Sequence, residues 1–312
     1  MFLVEGLLKG DKRAVAKLIS LIENGDAGAT EVIREVYNRT GRAYVVGVSG
    51  PPGAGKSTLI YGLAREYRRL GKTVGVIAID PTSPISGGAL LGDRVRMGEL
   101  ARDDGVFIRS MGTRGRLGGV SAATSDAISV LDAYGSDVIF VETAGAGQTD
   151  VEVSSLSHTM MVVVMPGVGD EVQALKAGLF ETADLFVVNK ADLEDAERVA
   201  TDLRMMLELG EQADWVPPVL LASALKGEGV ETVIDHLESH LSFLKESSGL
   251  EDRRRRRVER ELLTALSEEI LERGMALRNG DAFKSYVDKV LAKEMSPREA
   301  ASQLLLEFSP YR

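Results

Sequence analysis

Gly50-Pro51-Pro52-Gly53-Ala54-Gly55-Lys56-Ser57 fits G-x-x-x-x-G-K-[ST], the Walker A pattern. That pattern forms a phosphate loop where a buried strand runs into a turn and the turn opens a helix. Both flanks comply. Tyr44-Val45-Val46-Gly47-Val48 reads as a buried strand, and residues 57–70 place Leu59, Ile60, Leu63, Tyr67 and Leu70 at helical spacing. Glycines let the backbone curl until successive N–H groups face inward, a nest for phosphate oxygens at a helix N-terminus. A loop of this kind binds a nucleoside triphosphate. Lys56 would reach the β and γ phosphates, the Ser57 hydroxyl would ligate Mg²⁺, and Thr58 completes the nucleotide-binding segment.

The rest of the chain must supply a sheet to carry that loop, and its 312 residues suffice for one large α/β domain with smaller attachments. Strand patterns fall at 43–49, 73–79, 105–109, 137–142, 159–165, 184–189 and 218–222. Most are short continuous apolar runs, as expected of strands covered on both faces. Helix patterns lie between them at 57–70, 92–101, 119–134, 171–180, 193–209 and 229–244. This alternation predicts an α/β fold of the P-loop NTPase type, with a mostly parallel central sheet flanked by helices. Residues 1–40 read as N-terminal helices broken by Asn24-Gly25-Asp26-Ala27-Gly28. Beyond 247 strand signals vanish and helices are predicted at 251–275, 281–293 and 296–307, a helical C-terminal arm. The expected division is therefore 1–40, 41–246 and 247–312. Arg253 to Arg257 are five consecutive arginines among Glu251, Asp252, Glu259 and Glu261, which reads as a solvated helix face laced with i,i+4 pairs.

Charge and composition narrow the partners. A net charge of −10 argues against broad attraction to nucleic acid or to anionic membrane. The absence of cysteine excludes disulfides and thiolate metal sites and fits a reducing cytoplasm. The apolar start of the chain is too short for a signal segment before Lys9 and Asp11, and no apolar run approaches the ~18 residues of a membrane span. A cytoplasmic protein is expected.

Two further motifs follow strands. Glu142-Thr143-Ala144-Gly145 comes directly after Val138-Ile139-Phe140-Val141. It has the form of a Walker B carboxylate followed by the glycine whose N–H faces the γ phosphate, and Glu142 is long enough to hold Mg²⁺ through a bound water. Asn189-Lys190-Ala191-Asp192 fits N-K-x-D after Leu185-Phe186-Val187-Val188. An Asp192 carboxylate there accepts from both N1–H and the exocyclic amine of guanine, whereas adenine presents an unprotonated N1, so GTP is expected over ATP. Ser223-Ala224-Leu225, after the next strand, would back the base with a backbone N–H. Asp80, at a strand end, is either a turn initiator before Pro81 or an approach to Mg²⁺. Asp93 lies in the Gly-rich stretch 86–98 with Arg94 and Arg96, which would either supply transition-state charge or cover surface.

Together these residues resemble the MeaB/ArgK/MMAA family of P-loop GTPases. The likeness is carried by 50–58, by 78–84 with 92–97, by 108–115, by 142–148, by 166–178 and by the opening Leu8-Lys9-Gly10-Asp11-Lys12-Arg13. Ala144 and Ala146 stand where Val is frequent in that family. The resemblance implies a GTPase that chaperones adenosylcobalamin-dependent methylmalonyl-CoA mutase, or a related acyl-CoA mutase, gating delivery of intact cofactor. It implies GTP/GDP and Mg²⁺ as ligands, with Ser57, Asp80, Asp93 and Glu142 as the Mg²⁺ shell. It implies switch segments at 80–97 and 142–155, and an additional switch at 167–178 with Asp170 and Lys176 as its responsive charges. It also implies a homodimer formed through the helical arm.

Catalysis would then rest on Lys56, the loop amides and Mg²⁺, with Gln148 near enough to Gly145 in sequence to orient the attacking water. Alternative readings are a P-loop phosphotransferase or ATPase, the older label of lysine/arginine/ornithine transport, and a nickel-delivery GTPase. The N-K-x-D motif argues against the first. Against nickel, the chain has no cysteine and only His158, His236 and His240, of which the last two read as a surface pair.

Overall fold

The computed structural model describes residues 2–80, 98, 100–112, 119–145, 148–167, 177–209, 214–278 and 280–307. They form two compact units, Met1–Glu259 and Arg260–Arg312.

The first unit is built on a seven-stranded, wholly parallel sheet. Its strands are β1 (Tyr44–Ser49), β2 (Val74–Asp80), β3 (Val106–Gly112), β4 (Val138–Thr143), β5 (Thr159–Val164), β6 (Leu185–Asn189) and β7 (Val219–Ala222). They lie in the order β3-β2-β4-β1-β5-β6-β7. Every residue of β1, β4, β5 and β6 is buried, which is why these strands read as continuous apolar runs rather than alternating ones.

Helices α1 (Phe2–Leu8), α2 (Lys12–Asn24), α3 (Ala27–Val36), α5 (Gly119–Tyr134) and α6 (Gln148–Leu156) cover one face over β2 to β4. Helices α4 (Lys56–Arg69) and α9 (Val230–Glu246) cover the other, where Leu59, Ile60, Leu63 and Tyr67 meet Val233 and Leu237. Helices α7 (Ala177–Thr182) and α8 (Ala196–Glu208) close the β5–β6 side. The N-terminal break is a cap exchange: Gly25 ends α2 at φ 70°, and the Asp26 carboxylate accepts from the Gly28 N–H to start α3.

Expected strands and observed strands coincide closely, except that β3 runs further than 105–109. Helix α6 has no counterpart in the sequence reading. The helix expected at 92–101 is described only at its end, as a 3₁₀ turn at Leu100–Arg102, and that expected at 171–180 only from Ala177. No helix among the described residues is long and apolar enough to cross a membrane.

Helix α10 (Gly249–Leu277) carries the arginine run, and there the solvated-face reading holds only in part. Arg255 pairs with Glu259 across one turn. Arg253 and Arg257 instead point inward, Arg253 to the Asp184 carboxylate and the His158 carbonyl and Arg257 to the Ser125 hydroxyl, while the partly exposed Arg254 divides between the Gly41 carbonyl and Glu251 one turn back. Arg253 and Arg257, at i and i+4, share a helix face, so they fasten the start of α10 to the elements around the sheet.

In the second unit, α11 (Asp281–Leu291) and α12 (Pro297–Glu307) follow the end of α10. Tyr286 and Ala300 are buried there, whereas Leu262, Leu263, Leu266, Ile270, Leu291 and Leu306 are exposed.

Candidate functional site

All the described motif residues lie at the C-terminal ends of β1, β4, β6 and β7. The strand order turns around β1, with β2–β4 on one side and β5–β7 on the other, and such a switch point opens a crevice above the strand ends.

The phosphate loop leaves β1 and ends at Gly55, whose φ of 87° caps α4 in a left-handed conformation. An added Cβ at Gly55 would sit 2.4 Å from Asn189 Nδ2, so the position admits glycine alone on two counts. Lys56 is buried, and its Nζ donates to the carbonyls of Gly50 at 2.8 Å and Pro51 at 3.2 Å. Ser57 Oγ donates to Glu142 Oε1 at 2.7 Å. Glu142 is buried at the end of β4, paired in register with Val48 of β1. A hydroxyl and a carboxylate side by side are hard oxygen donors of the kind Mg²⁺ takes. Gly145 closes the front of the loop: a Cβ there would come within 1.9 Å of the Gly50 carbonyl oxygen and 3.3 Å of Lys56 Nζ.

Asn189, buried at the end of β6, joins three loops. Its Nδ2 donates to the Ala54 carbonyl at 2.8 Å, and its Oδ1 accepts from the Ala224 N–H at 3.0 Å. Lys190 takes the left-handed conformation at φ 59°, uncommon outside glycine, and its Nζ approaches Met165 Sδ at 3.0 Å. Asp192 is exposed, with Oδ1 accepting from Ser223 Oγ at 2.7 Å and Lys226 Nζ 3.6 Å from Oδ2. The Ser223 hydroxyl, first among the causes, holds the Asp192 carboxyl below the usual carboxylate range.

Two cavities mark the crevice. One, of about 270 Å³, is lined by Pro52, Lys56, Ser57, Ile79 and Glu142. The other, of about 510 Å³, is lined by Thr58, Tyr61, Arg65, Ala224 and Leu225, and the two meet at Ser57 and Thr58. The phosphate loop thus borders both cavities, and the 223–225 turn borders the larger one through Ala224 and Leu225.

Several expected site residues cannot be placed. Asp93, Arg94, Arg96, Asp170 and Lys176 lie outside the described residues, as do the side chains of Asp80 and Gln148. The histidine pair is corrected. His236 is exposed and bonds the Thr232 carbonyl, but His240 is 1 % exposed and its Nδ1 lies 2.8 Å from Thr159 Oγ1, so the two do not form a surface pair. Asp150 was missed altogether. It is buried beneath the loop, accepting from Ser49 Oγ and Thr143 Oγ1, and nothing in the polar segment Gln148-Thr149-Asp150 announces it.

A family model described as methylmalonyl-CoA mutase-associated GTPase MeaB matches residues 15–279. The chain is 48 % identical to a Pyrococcus abyssi protein named as a candidate GTPase, covering 98 % of this chain and 95 % of that one. It is 33 % identical to the GTPase ArgK of Escherichia coli, covering 96 % and 94 %, and 32 % identical to the mouse mitochondrial methylmalonic aciduria type A homolog, covering 98 % and 79 %. Among solved structures, one titled as an LAO/AO transport system kinase superposes with a TM-score of 0.72 at 27 % identity, covering 97 % and 95 %. With phosphate loop, strand-end glutamate and N-K-x-D all at the C-terminal ends of one parallel sheet, the chain belongs to the MeaB family of P-loop GTPases.

Proposed function

We propose that the groove binds GTP with Mg²⁺, and that GTP hydrolysis here serves as a gate and chaperone for an adenosylcobalamin-dependent acyl-CoA mutase, methylmalonyl-CoA mutase foremost. The nucleotide reading is carried by Asn189, which ties the phosphate loop to the Ser223–Ala224–Leu225 turn through one buried side chain. In this reading the backbone N–H groups of Gly53 to Thr58 and of Gly145 cradle phosphate, and Lys56 leaves its loop carbonyls for the β and γ phosphates. Asp192 accepts from guanine, with Lys190 and the 223–225 turn flanking the base.

Ser57 and Glu142 are the described residues fit to hold Mg²⁺, and the family likeness adds Asp80 and Asp93. The ion, when bound, supplies positive charge at the phosphate oxygens. Lys56 and the loop amides neutralise charge growing on the transferred group, while Gln148 orients water and Arg94 and Arg96 offer cations. Asp170 and Lys176 are the charges through which a partner would reach the site. In this reading the free protein hydrolyses GTP slowly and the mutase complex hydrolyses it faster.

The mutase partner is supported by the description of the matching family. A homodimer through residues 247–312 is supported by the exposed apolar side chains of the second unit, among them Leu262, Leu263, Leu266 and Ile270 on α10. Net charge of −10 and zero cysteines favour a cytoplasmic protein without nucleic-acid or membrane partners.

Calorimetry with GTP, GDP and ATP, followed by capture of the mutase on the protein loaded with a non-hydrolysable GTP analogue, tests both halves. Indifference between guanine and adenine ends the nucleotide reading. Equal mutase capture with GDP, GTP analogue and no nucleotide ends the gating one.

A further inference from the structure

Beneath the groove, one buried carboxylate links the two strands that carry its phosphate-facing backbone. Ser49 is the last residue of β1, directly before Gly50, and Thr143 is the last of β4, two residues before Gly145. Asp150, in the first turn of α6, accepts from both: Ser49 Oγ at 2.7 Å and Thr143 Oγ1 at 2.5 Å, each on Oδ1. Exposure is 0 % at Ser49, 1 % at Thr143 and 3 % at Asp150. Burying a carboxylate is costly, and three apolar side chains of similar volume would fill this space without that cost. The first turn of a helix lowers the cost, because its amide dipoles favour negative charge.

The pin is attached directly beside a close backbone approach, through Ser49 before Gly50 and Thr143 two residues before Gly145. Gly145 lies so near Gly50 that an added Cβ would fall 1.9 Å from the Gly50 carbonyl oxygen. The distance between these backbones sets where the Gly145 N–H stands relative to the loop amides. A γ phosphate would have to fit between them; a diphosphate would not touch the Gly145 side. A bond network that fixes β1 to β4 at this point therefore controls the fit of the third phosphate more than that of the first two.

We propose that Asp150 is a positioning residue for GTP hydrolysis: by pinning Ser49 and Thr143 it holds Gly145 against the phosphate loop and so sets discrimination between GTP and GDP. This rests on reading the groove as the GTP site. Strength at the pin comes from an anionic acceptor shared by two hydroxyls, and charge-assisted bonds of this type are about twice as strong as neutral ones.

The test uses the full chain and three variants: Asp150→Asn, Thr143→Val, which keeps shape while removing the hydroxyl, and Asp150→Glu, which restores the charge. GDP and GTP-analogue affinities, kcat, KM and thermal midpoint are measured for each. The expected result is GDP affinity within about twofold of wild type, with kcat down by about tenfold or more in Asp150→Asn and Thr143→Val. The ratio of analogue to GDP affinity falls alongside, and Asp150→Glu recovers part of both. If Asp150→Asn does not fold, Thr143→Val carries the same expectation. A lowered thermal midpoint with kcat and the affinity ratio unchanged overturns the proposal and makes the cluster a packing feature. Wild-type protein that binds no guanine nucleotide overturns the site reading itself, an outcome visible before any variant is made.

Discussion

Asn189 donates to the Ala54 carbonyl at 2.8 Å while its other side-chain atom accepts from the Ala224 N–H, so one amide spans the phosphate loop and the base turn. Asn189 is 2 % exposed and Ala54 0 %, so the Ala54 carbonyl cannot turn to water if the amide is lost, whereas Ala224 borders the larger cavity. Asn189→Ala should therefore destabilise the protein by about 2–4 kcal/mol, from two broken bonds and a stranded carbonyl. Asn189→Asp should be no better, because a carboxylate oxygen would face the Ala54 carbonyl. Urea unfolding without nucleotide measures both; a midpoint near wild type for the aspartate variant would contradict the bridging role.

Arg253 grips Asp184 with both Nη atoms, at 2.7 and 2.8 Å, and reaches the His158 carbonyl as well. Breaking a buried ion pair from one side costs roughly 3–5 kcal/mol, but the Arg253 side chain is 30 % exposed, so about 2 kcal/mol is expected for Arg253→Gln. Arg255→Gln, whose partner Glu259 is on the surface, should cost about 0.5 kcal/mol or less. Equal effects for the two variants would return the arginine run to the solvated reading.

These two sites show what a sequence displays and what it hides. The strands were legible because a sheet covered on both faces demands runs such as Val138-Ile139-Phe140-Val141, and Leu185-Phe186-Val187-Val188 repeats the pattern. The glycines of the motifs were legible because a left-handed backbone at Gly55 and the close approach to the Gly50 carbonyl at Gly145 both demand glycine. Helix α6 was not, since Gln148-Thr149-Asp150-Val151-Glu152-Val153-Ser154-Ser155-Leu156 carries no apolar stripe, and only Val153 and Leu156 anchor it in the core. The inward arginines escaped notice because their acceptors lie far away in the chain, while the local acids that suggested a surface face lie within one turn. His240 escaped for the same reason: its neighbours Thr159 and Trp215 belong to other elements.

The Asp192 carboxylate is held by the Ser223 hydroxyl at 2.7 Å, which fixes its orientation and keeps it ionised. Guanine gives such a carboxylate two N–H donors. Asp192→Asn replaces one acceptor with an NH₂ and should lower GTP affinity by roughly 10²-fold or more, since each bond to a charged group contributes about 1.5–3 kcal/mol. Xanthosine triphosphate, which presents a carbonyl where guanine has its amine, should bind this variant better than it binds wild type. Competition binding measures the exchange of preference, and unchanged preference would remove Asp192 from the base site.

Burial pushes the His240 imidazole down from 6.5 to about 4, with the Arg253 cation adding to that and the Asp184 carboxylate opposing it. His158 is pushed down to about 3 by burial and by Arg257, Arg254 and Arg253. Both are neutral in the folded protein when the unfolded chain has begun to take up protons. Their contribution is therefore complete above pH 6.5 and is lost as pH falls from there towards 4, at about 1.4 kcal/mol per pH unit for each histidine. Unfolding free energies at pH 7.5, 6.5 and 5.5 should show this slope setting in below 6.5, and His240→Gln should cut it by about half, leaving the His158 share. A wild-type slope that is flat between 6.5 and 5.5 would contradict the buried neutral assignment.

Ser57 and Glu142 meet at 2.7 Å where the phosphate loop enters α4, and the pair makes a prediction that separates hydroxyl chemistry from packing. Ser57→Ala removes the donor to a buried carboxylate and one of the two described oxygens suited to Mg²⁺. If that oxygen ligates the ion, GTP affinity in the variant should become nearly independent of Mg²⁺ and fall to the level wild type shows with chelator. Ser57→Thr keeps a hydroxyl at the position the motif allows and should restore the Mg²⁺ dependence. Stability answers separately. The alanine variant leaves Glu142 without its hydroxyl donor, so an unfolding loss of about 1–3 kcal/mol is expected even without nucleotide, and threonine should recover it. Loss of stability with Mg²⁺ dependence intact would mean that the serine serves the glutamate alone. Loss of Mg²⁺ dependence in the alanine variant, with threonine rescue, would mean that its oxygen faces the ion.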